Sequence, residues 1–154
     1  MMSDRAIRNS GNNRRRLGLA MIEAAIFIPL LILLLCGVVE YGWCFIKYQG
    51  LNNAAREGVR TAIREGATDA QWQAAVDAVL VTCGRDRDGS GNQLPPPSAT
   101  RTLTPGVGSP AGTQLTCTVR VRYSDLTLTN TSLFPLPSQL TAIARMSKEG
   151  PEAP

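Results

Sequence analysis

Three groups of residues in this chain combine side chains and spacings that chemistry can use. The first is a carboxylate, Glu23, five positions after Gly18 and inside an otherwise apolar run over residues 19–46. A charged side chain in hydrocarbon costs roughly 2.5–3.5 kcal/mol on insertion scales, so an acid there signals a function, such as pairing with a cation. The second is a thiol pair, Cys83 and Cys117, which forms a disulfide where the compartment is oxidising. The third is Asp86-Arg87-Asp88-Gly89-Ser90-Gly91-Asn92, with oxygens at positions one, three and five and glycine at six of a calcium loop. Its twelfth position is Pro97, so half of the ligand set is missing and turn chemistry explains the segment better than a metal does. The chain has no histidine, and its outer part has no phosphate loop, nucleophile motif or paired carboxylates. These absences argue against an enzyme, and no cofactor or metal is implied.

The run over residues 19–46 positions the first group. A membrane helix needs roughly 20 apolar residues at about 1.5 Å each, which this run exceeds. Arg14, Arg15 and Arg16 precede it and mark the side that stays in the cytoplasm. The net charge of +4 is located here too, because residues 1–18 hold five arginines against Asp4 alone. The rest of the chain is neutral, with eleven basic and eleven acidic residues, so the basic balance belongs to a leader and not to a nucleic-acid surface. The leader is also rich in Asn, Ser and Gly and is expected to stay unfolded. A cleaved secretory signal would have a shorter core and a better site than Val39-Glu40-Tyr41-Gly42-Trp43. A lipoprotein signal would have a small residue before Cys36, where Leu33-Leu34-Leu35 stands. A plain signal anchor accounts for length and arginines but not for Gly18 and Glu23. A prepilin-type segment, cut on the cytoplasmic side after the glycine, accounts for all four.

Gly18-Leu19-Ala20-Met21-Ile22-Glu23 resembles the processing site of type IV pilin-like proteins. More specifically, Glu23-Ala24, Pro29, Gly37-Val38-Val39-Glu40-Tyr41-Gly42 and Asn53-Ala54-Ala55-Arg56-Glu57-Gly58-Val59-Arg60 resemble the TadE-like family. Its members are minor pilins or pseudopilins of tight-adherence (Flp) pilus systems. The likeness covers about residues 16–62; Ala24 stands where the family usually has an aromatic, and Trp43 where a basic residue is common. The resemblance implies cleavage after Gly18 by a prepilin peptidase, which gives Leu19 a free α-amino group. It also implies that Glu23 pairs with the amino terminus of a neighbouring subunit; the plainer alternative is that Glu23 snorkels to the cytoplasmic headgroups. Implied partners are the peptidase, the pilus assembly platform, other pilin-like subunits and the membrane. Glu40, Asn53, Ala54, Ala55, Arg56, Glu57 and Gly58 are the family-motif residues.

The remaining elements follow from periodicity. Glu40, Tyr41 and Trp43 are expected at the outer headgroup level, as an interfacial belt. Pro29 removes a helical hydrogen bond and bends the segment. Leu51, Ala55, Val59, Ala62 and Ile63 make an amphipathic stripe that carries the helix to Gly66. The opposite face holds Arg56, Arg60 and Arg64, read as a solvated row, with a groove for an acidic partner as the alternative. A second helix is expected over residues 69–82, with Thr68 and Gln71 as a capping box, Trp72, Ala75, Val76, Val79 and Leu80 as its core face, and Gly84 closing it. Residues 84–113 read as a punctuated loop with one short strand near 99–104. Strands are expected over residues 115–123 and 139–147, with another over 125–129 and an apolar turn over 133–137. Cys83 and Cys117 are expected to form a disulfide, two buried thiols being the alternative, while Cys36 and Cys44 are small apolar fillers.

The sequence thus describes an α+β protein with a long amino-terminal transmembrane helix and a few-stranded antiparallel sheet. Residues 1–18 form a cytoplasmic leader, 19–46 the span, 47–66 a helical extension and 67–154 a periplasmic domain. The expected function is a non-catalytic minor pilin or pseudopilin in the inner membrane, its amino terminus cytoplasmic. The alternatives are an unprocessed membrane-anchored binding module and, more remotely, a secreted soluble effector.

Overall fold

The computed structural model describes residues 3–84, 89–127 and 135–150, with side chains for residue 18 and from residue 20 onward. The chain forms two compact units, Met1–Val39 and Glu40–Pro154. The elements run α1 (Ser3–Ala62), α2 (Asp69–Leu80), β1 (Thr100–Thr104), β2 (Gln114–Arg122) and β3 (Gln139–Ser147). The strands form one antiparallel sheet in the order β1-β2-β3.

In the first unit, α1 leaves its apolar side chains exposed on every side from Met21 to Val39, Pro29 included in the helix. Its most apolar window has a mean hydropathy of 2.7, long and apolar enough to cross a membrane. The leader, expected to be unfolded, is helical from Ser3. Propagating an existing helix fixes one residue per added hydrogen bond, whereas starting one is costly, so the span extends into polar sequence that contains no proline.

In the second unit the helical stripe meets the sheet. Leu51, Ala54, Ala55, Val59, Ala62 and Ile63 of α1 are buried with Trp72, Val76 and Leu80 of α2. They pack with Leu115, Cys117, Val119 and Val121 of β2 and with Leu140, Ala142 and Ala144 of β3. Along β2 the burial alternates strictly from Leu115 to Val121, as the pleat requires of a strand with one face on a core. Cys117 pairs in register with Leu103 on β1 and Ala144 on β3.

Most boundaries follow local chemistry. The Thr68 hydroxyl accepts from the Gln71 amide at 3.4 Å, while the Thr68 amide donates to Gln71 Oε1 at 3.0 Å, closing the expected capping box. The first helix ends at Ala62, short of the expected Gly66, whose positive φ of 72° instead serves the turn in which the Ala67 amide donates to the Arg64 carbonyl at 3.2 Å. Two further expected elements change. The second helix ends at Leu80 and tightens into a 3-10 turn, Val81–Cys83, instead of continuing to Thr82. The strand expected from Asp125 is absent over its described residues, because the Leu126 and Thr127 amides both donate to the Tyr123 carbonyl at 2.9 Å and turn the chain. Of the apolar turn, Leu136 packs against the core, while Leu133 and Phe134 lie outside the described residues.

Candidate functional site

Two constellations carry the residues singled out in the sequence, one in each unit. In the first, Gly18 and Glu23 lie on α1, both exposed. No described atom lies within 4 Å of where a Gly18 side chain would begin. Glu23 has no hydrogen bond or ion pair among the described residues, and its apolar neighbours Met21 and Ile22 are 74% and 63% exposed. The Leu19 side chain lies outside the described residues. This is a carboxylate on an apolar surface with nothing to neutralise it among the described residues.

The second constellation corrects the expectation for Glu40. Instead of facing headgroups, its side chain is 2% exposed and buried in the second unit. The Thr127 hydroxyl donates to Glu40 Oε1 at 2.5 Å, and the Tyr123 hydroxyl donates to the same oxygen at 3.2 Å. Burial first, and the Glu40 carboxyl next, push the Tyr123 phenol up, so it stays a donor at ordinary pH. One helical turn on, Trp43 Nε1 donates to the Leu126 carbonyl at 2.6 Å. A further turn on, buried Lys47 donates to the Cys83 carbonyl at 3.0 Å, its ammonium 4.6 Å from the centre of the Trp43 ring. The Tyr41 hydroxyl reaches the Pro135 carbonyl at 2.9 Å. Glu40, Trp43 and Lys47 stand at i, i+3 and i+7, one helical face, and each holds backbone or side chain of the turns after α2 and β2. That spacing was readable in the sequence, but its partners, 36 to 87 residues away, were not.

The block Asn53-Ala54-Ala55-Arg56-Glu57-Gly58 divides by face. Ala54, Ala55 and Gly58 point inward, Asn53 and Arg56 are exposed, and Glu57 is half-buried. A Cβ at Gly58 would run into Val76 Cγ2 and lie 3.1 Å from Cys117 Sγ, and one at Gly50 would strike Cys83 Sγ. The two glycines are therefore docking notches for the two thiols. The bridge expected between Cys83 and Cys117 is not formed, and both are free, buried thiols. Their notches lie eight residues apart on α1, about 12 Å along its axis, so each sulfur has its own seat. Burial pushes the Cys83 thiol up and the Cys117 thiol up to about 11, which makes both poor nucleophiles. The calcium half-loop falls partly outside the described residues, and among the described ones no three metal-binding side chains gather.

Residues 18–60 match the TadE-like protein family. The match begins at Gly18 and contains Glu23, the Glu40 face and the whole block from Asn53 to Gly58. It agrees with the resemblance seen in those residues. The sheet and α2 lie beyond it. No curated protein and no solved structure matches the chain.

Proposed function

We propose that the chain is a non-catalytic minor pilin or pseudopilin, anchored in the inner membrane and acting in the assembly of a tight-adherence (Flp) pilus. A prepilin peptidase cuts it after Gly18. The observation that carries this reading is the TadE-like match beginning at Gly18, five residues before a Glu23 that has no partner among the described residues, on an exposed apolar helix. In this reading residues 1–18 are the cytoplasmic leader, 19–46 the span, 47–66 its extension and 67–154 the periplasmic domain.

The mechanism follows from desolvation. Cleavage turns Leu19 into an amino terminus at the membrane surface, and a carboxylate left in hydrocarbon is stabilised by pairing with such a cation. A neighbour's amino terminus satisfies Glu23 in one axial register only, so the pair specifies assembly. The second unit uses its polar face on α1, not an active site, to present a rigid surface to other subunits.

The test is the intact mass and amino-terminal sequence of the membrane-extracted protein, with and without the cognate prepilin peptidase. A chain beginning at Leu19 only with the peptidase is the expected result. A chain retaining Arg14 to Gly18 in both samples would leave an unprocessed, membrane-anchored binding module.

A further inference from the structure

The face of α1 turned away from the core carries charge that the fold does not use. Arg56 and Arg60 are exposed and one turn apart, a like-charged spacing that mildly destabilises a helix. Neither guanidinium has an ion pair or hydrogen bond among the described residues, whereas Arg101 of β1 pairs with Asp77 of α2. Glu57, three before Arg60, makes no ion pair with it among the described residues. Both arginines line an open groove of about 440 Å³ with Asn53, Glu57, Val79 and Met146.

We propose that this groove docks an extended acidic peptide segment of a partner protein, with two carboxylates at alternate positions on the two arginines. One helical turn separates the arginines by about 5–6 Å. Alternate side chains of an extended strand lie on one face about 6.6 Å apart, so a Glu-x-Glu segment matches the pair. Each guanidinium offers forked donors that fit a carboxylate. Asn53 supplies an amide for the peptide backbone, and Val79 with Met146 supplies apolar contact for a neighbouring side chain. Glu57, within the same groove, repels a dense polyanion and so favours spaced carboxylates over nucleic acid or a phosphate-rich polymer. The site is separate from Gly18 and Glu23, and it stands whether or not the chain is cut.

The experiment uses the full chain in uncharged detergent and a fluorescein-labelled decapeptide containing Glu-Leu-Glu, followed by anisotropy at 50 and 300 mM salt. The expected result is saturable, salt-weakened binding that the Gln-Leu-Gln peptide lacks. It should fall at least tenfold in Arg56→Gln/Arg60→Gln and less than twofold in Arg120→Gln/Arg145→Gln, whose arginines are exposed on the outer face of the sheet. Unchanged thermal unfolding of both variants secures the comparison. Equal weakening by the two pairs, or no binding up to millimolar peptide, overturns the proposal. So does loss of binding to phosphatidylglycerol vesicles, or of self-association, in the first variant when the wild type takes no peptide. Those last two outcomes assign the groove to a lipid surface or to a second copy of the chain.

Discussion

Residues 20–39 and 40–62 belong to one helix, yet they are written for two different solvents. In the first stretch Phe27, Leu31 and Leu34 are 60%, 66% and 66% exposed, with apolar side chains all round the axis. In the second, Leu51, Ala54, Ala55, Val59 and Ala62 are completely buried along one stripe, while Asn53, Arg56 and Arg60 face outward. An all-round apolar helix can lower its free energy only in hydrocarbon, whereas a striped one does so against a protein core. The two also treat carboxylates differently. Glu23 has no partner among the described residues of its own unit, and Glu40 receives two hydroxyl donors from its own. A carboxylate satisfied inside its domain serves folding; in the proposed function, the other is left for a neighbouring subunit.

The largest expected effect tests that contrast directly. Glu40→Leu removes the carboxylate oxygen that accepts from the buried Tyr123 and Thr127 hydroxyls and should cost about 2–5 kcal/mol of domain stability. Thermal unfolding in detergent, followed by circular dichroism, measures it. Leu31→Arg should leave that unfolding unchanged while depleting the membrane fraction, since insertion becomes roughly 2.5–3.5 kcal/mol less favourable. Equal domain destabilisation by both substitutions would erase the distinction between the stretches.

Next in size is the notch at Gly58. Replacing a helical glycine usually stabilises, by up to about 1 kcal/mol for alanine. Here the Val76 methyl and Cys117 sulfur occupy the space, so Gly58→Val should destabilise by about 1–3 kcal/mol in urea unfolding. The mirror substitution Gly42→Val, at a position with nothing within 4 Å, should change domain stability by less than about 0.5 kcal/mol.

Cys117 gives the second unit a pH dependence. The unfolded thiol releases its proton near 9.0, while the folded one holds it to about 11. Above 9.0 the unfolded chain therefore binds fewer protons than the native one, and stability falls as pH rises through this window. Urea midpoints measured between pH 8 and 11 should decline, and Cys117→Ala should flatten that part of the decline.

The smallest effects lie at the edge of the polar face. Trp43→Phe keeps a ring for the Lys47 ammonium but loses the bond to the Leu126 carbonyl, an expected cost of about 1 kcal/mol. Tyr41→Phe removes an exposed bond to Pro135 and should cost less than about 0.5 kcal/mol. The reverse order would mean that the clasp is centred outside the Glu40 face.

Local pattern made much of this legible in advance. The α1 stripe, the Thr68 and Gln71 capping box, the alternation along β2 and the extent of β3 each depend on residues within one or two turns or pleats of one another. The errors share a different origin. Asp125 to Thr127 looked like strand because the residue types suit one, but a carbonyl two positions before it captured both following amides. Glu40 looked interfacial because its sequence neighbours are Tyr41 and Trp43, whereas its partners Tyr123 and Thr127 are more than 80 residues away. Cys83 and Cys117 looked like a bridge because both belong to the outer domain, yet they are free thiols that separate glycines seat.

The sequence by itself determined where the chain is apolar enough to cross a membrane, which face of each element is buried, and the TadE-like likeness that starts at Gly18. Those depend on composition, periodicity and short spacing, which the chain carries wherever it folds. Only the tertiary structure decided which carboxylate is satisfied internally, which thiols remain apart and which arginines have no partner among the described residues. Each of those is a distance between residues remote in sequence, set by how a helix docks on a sheet.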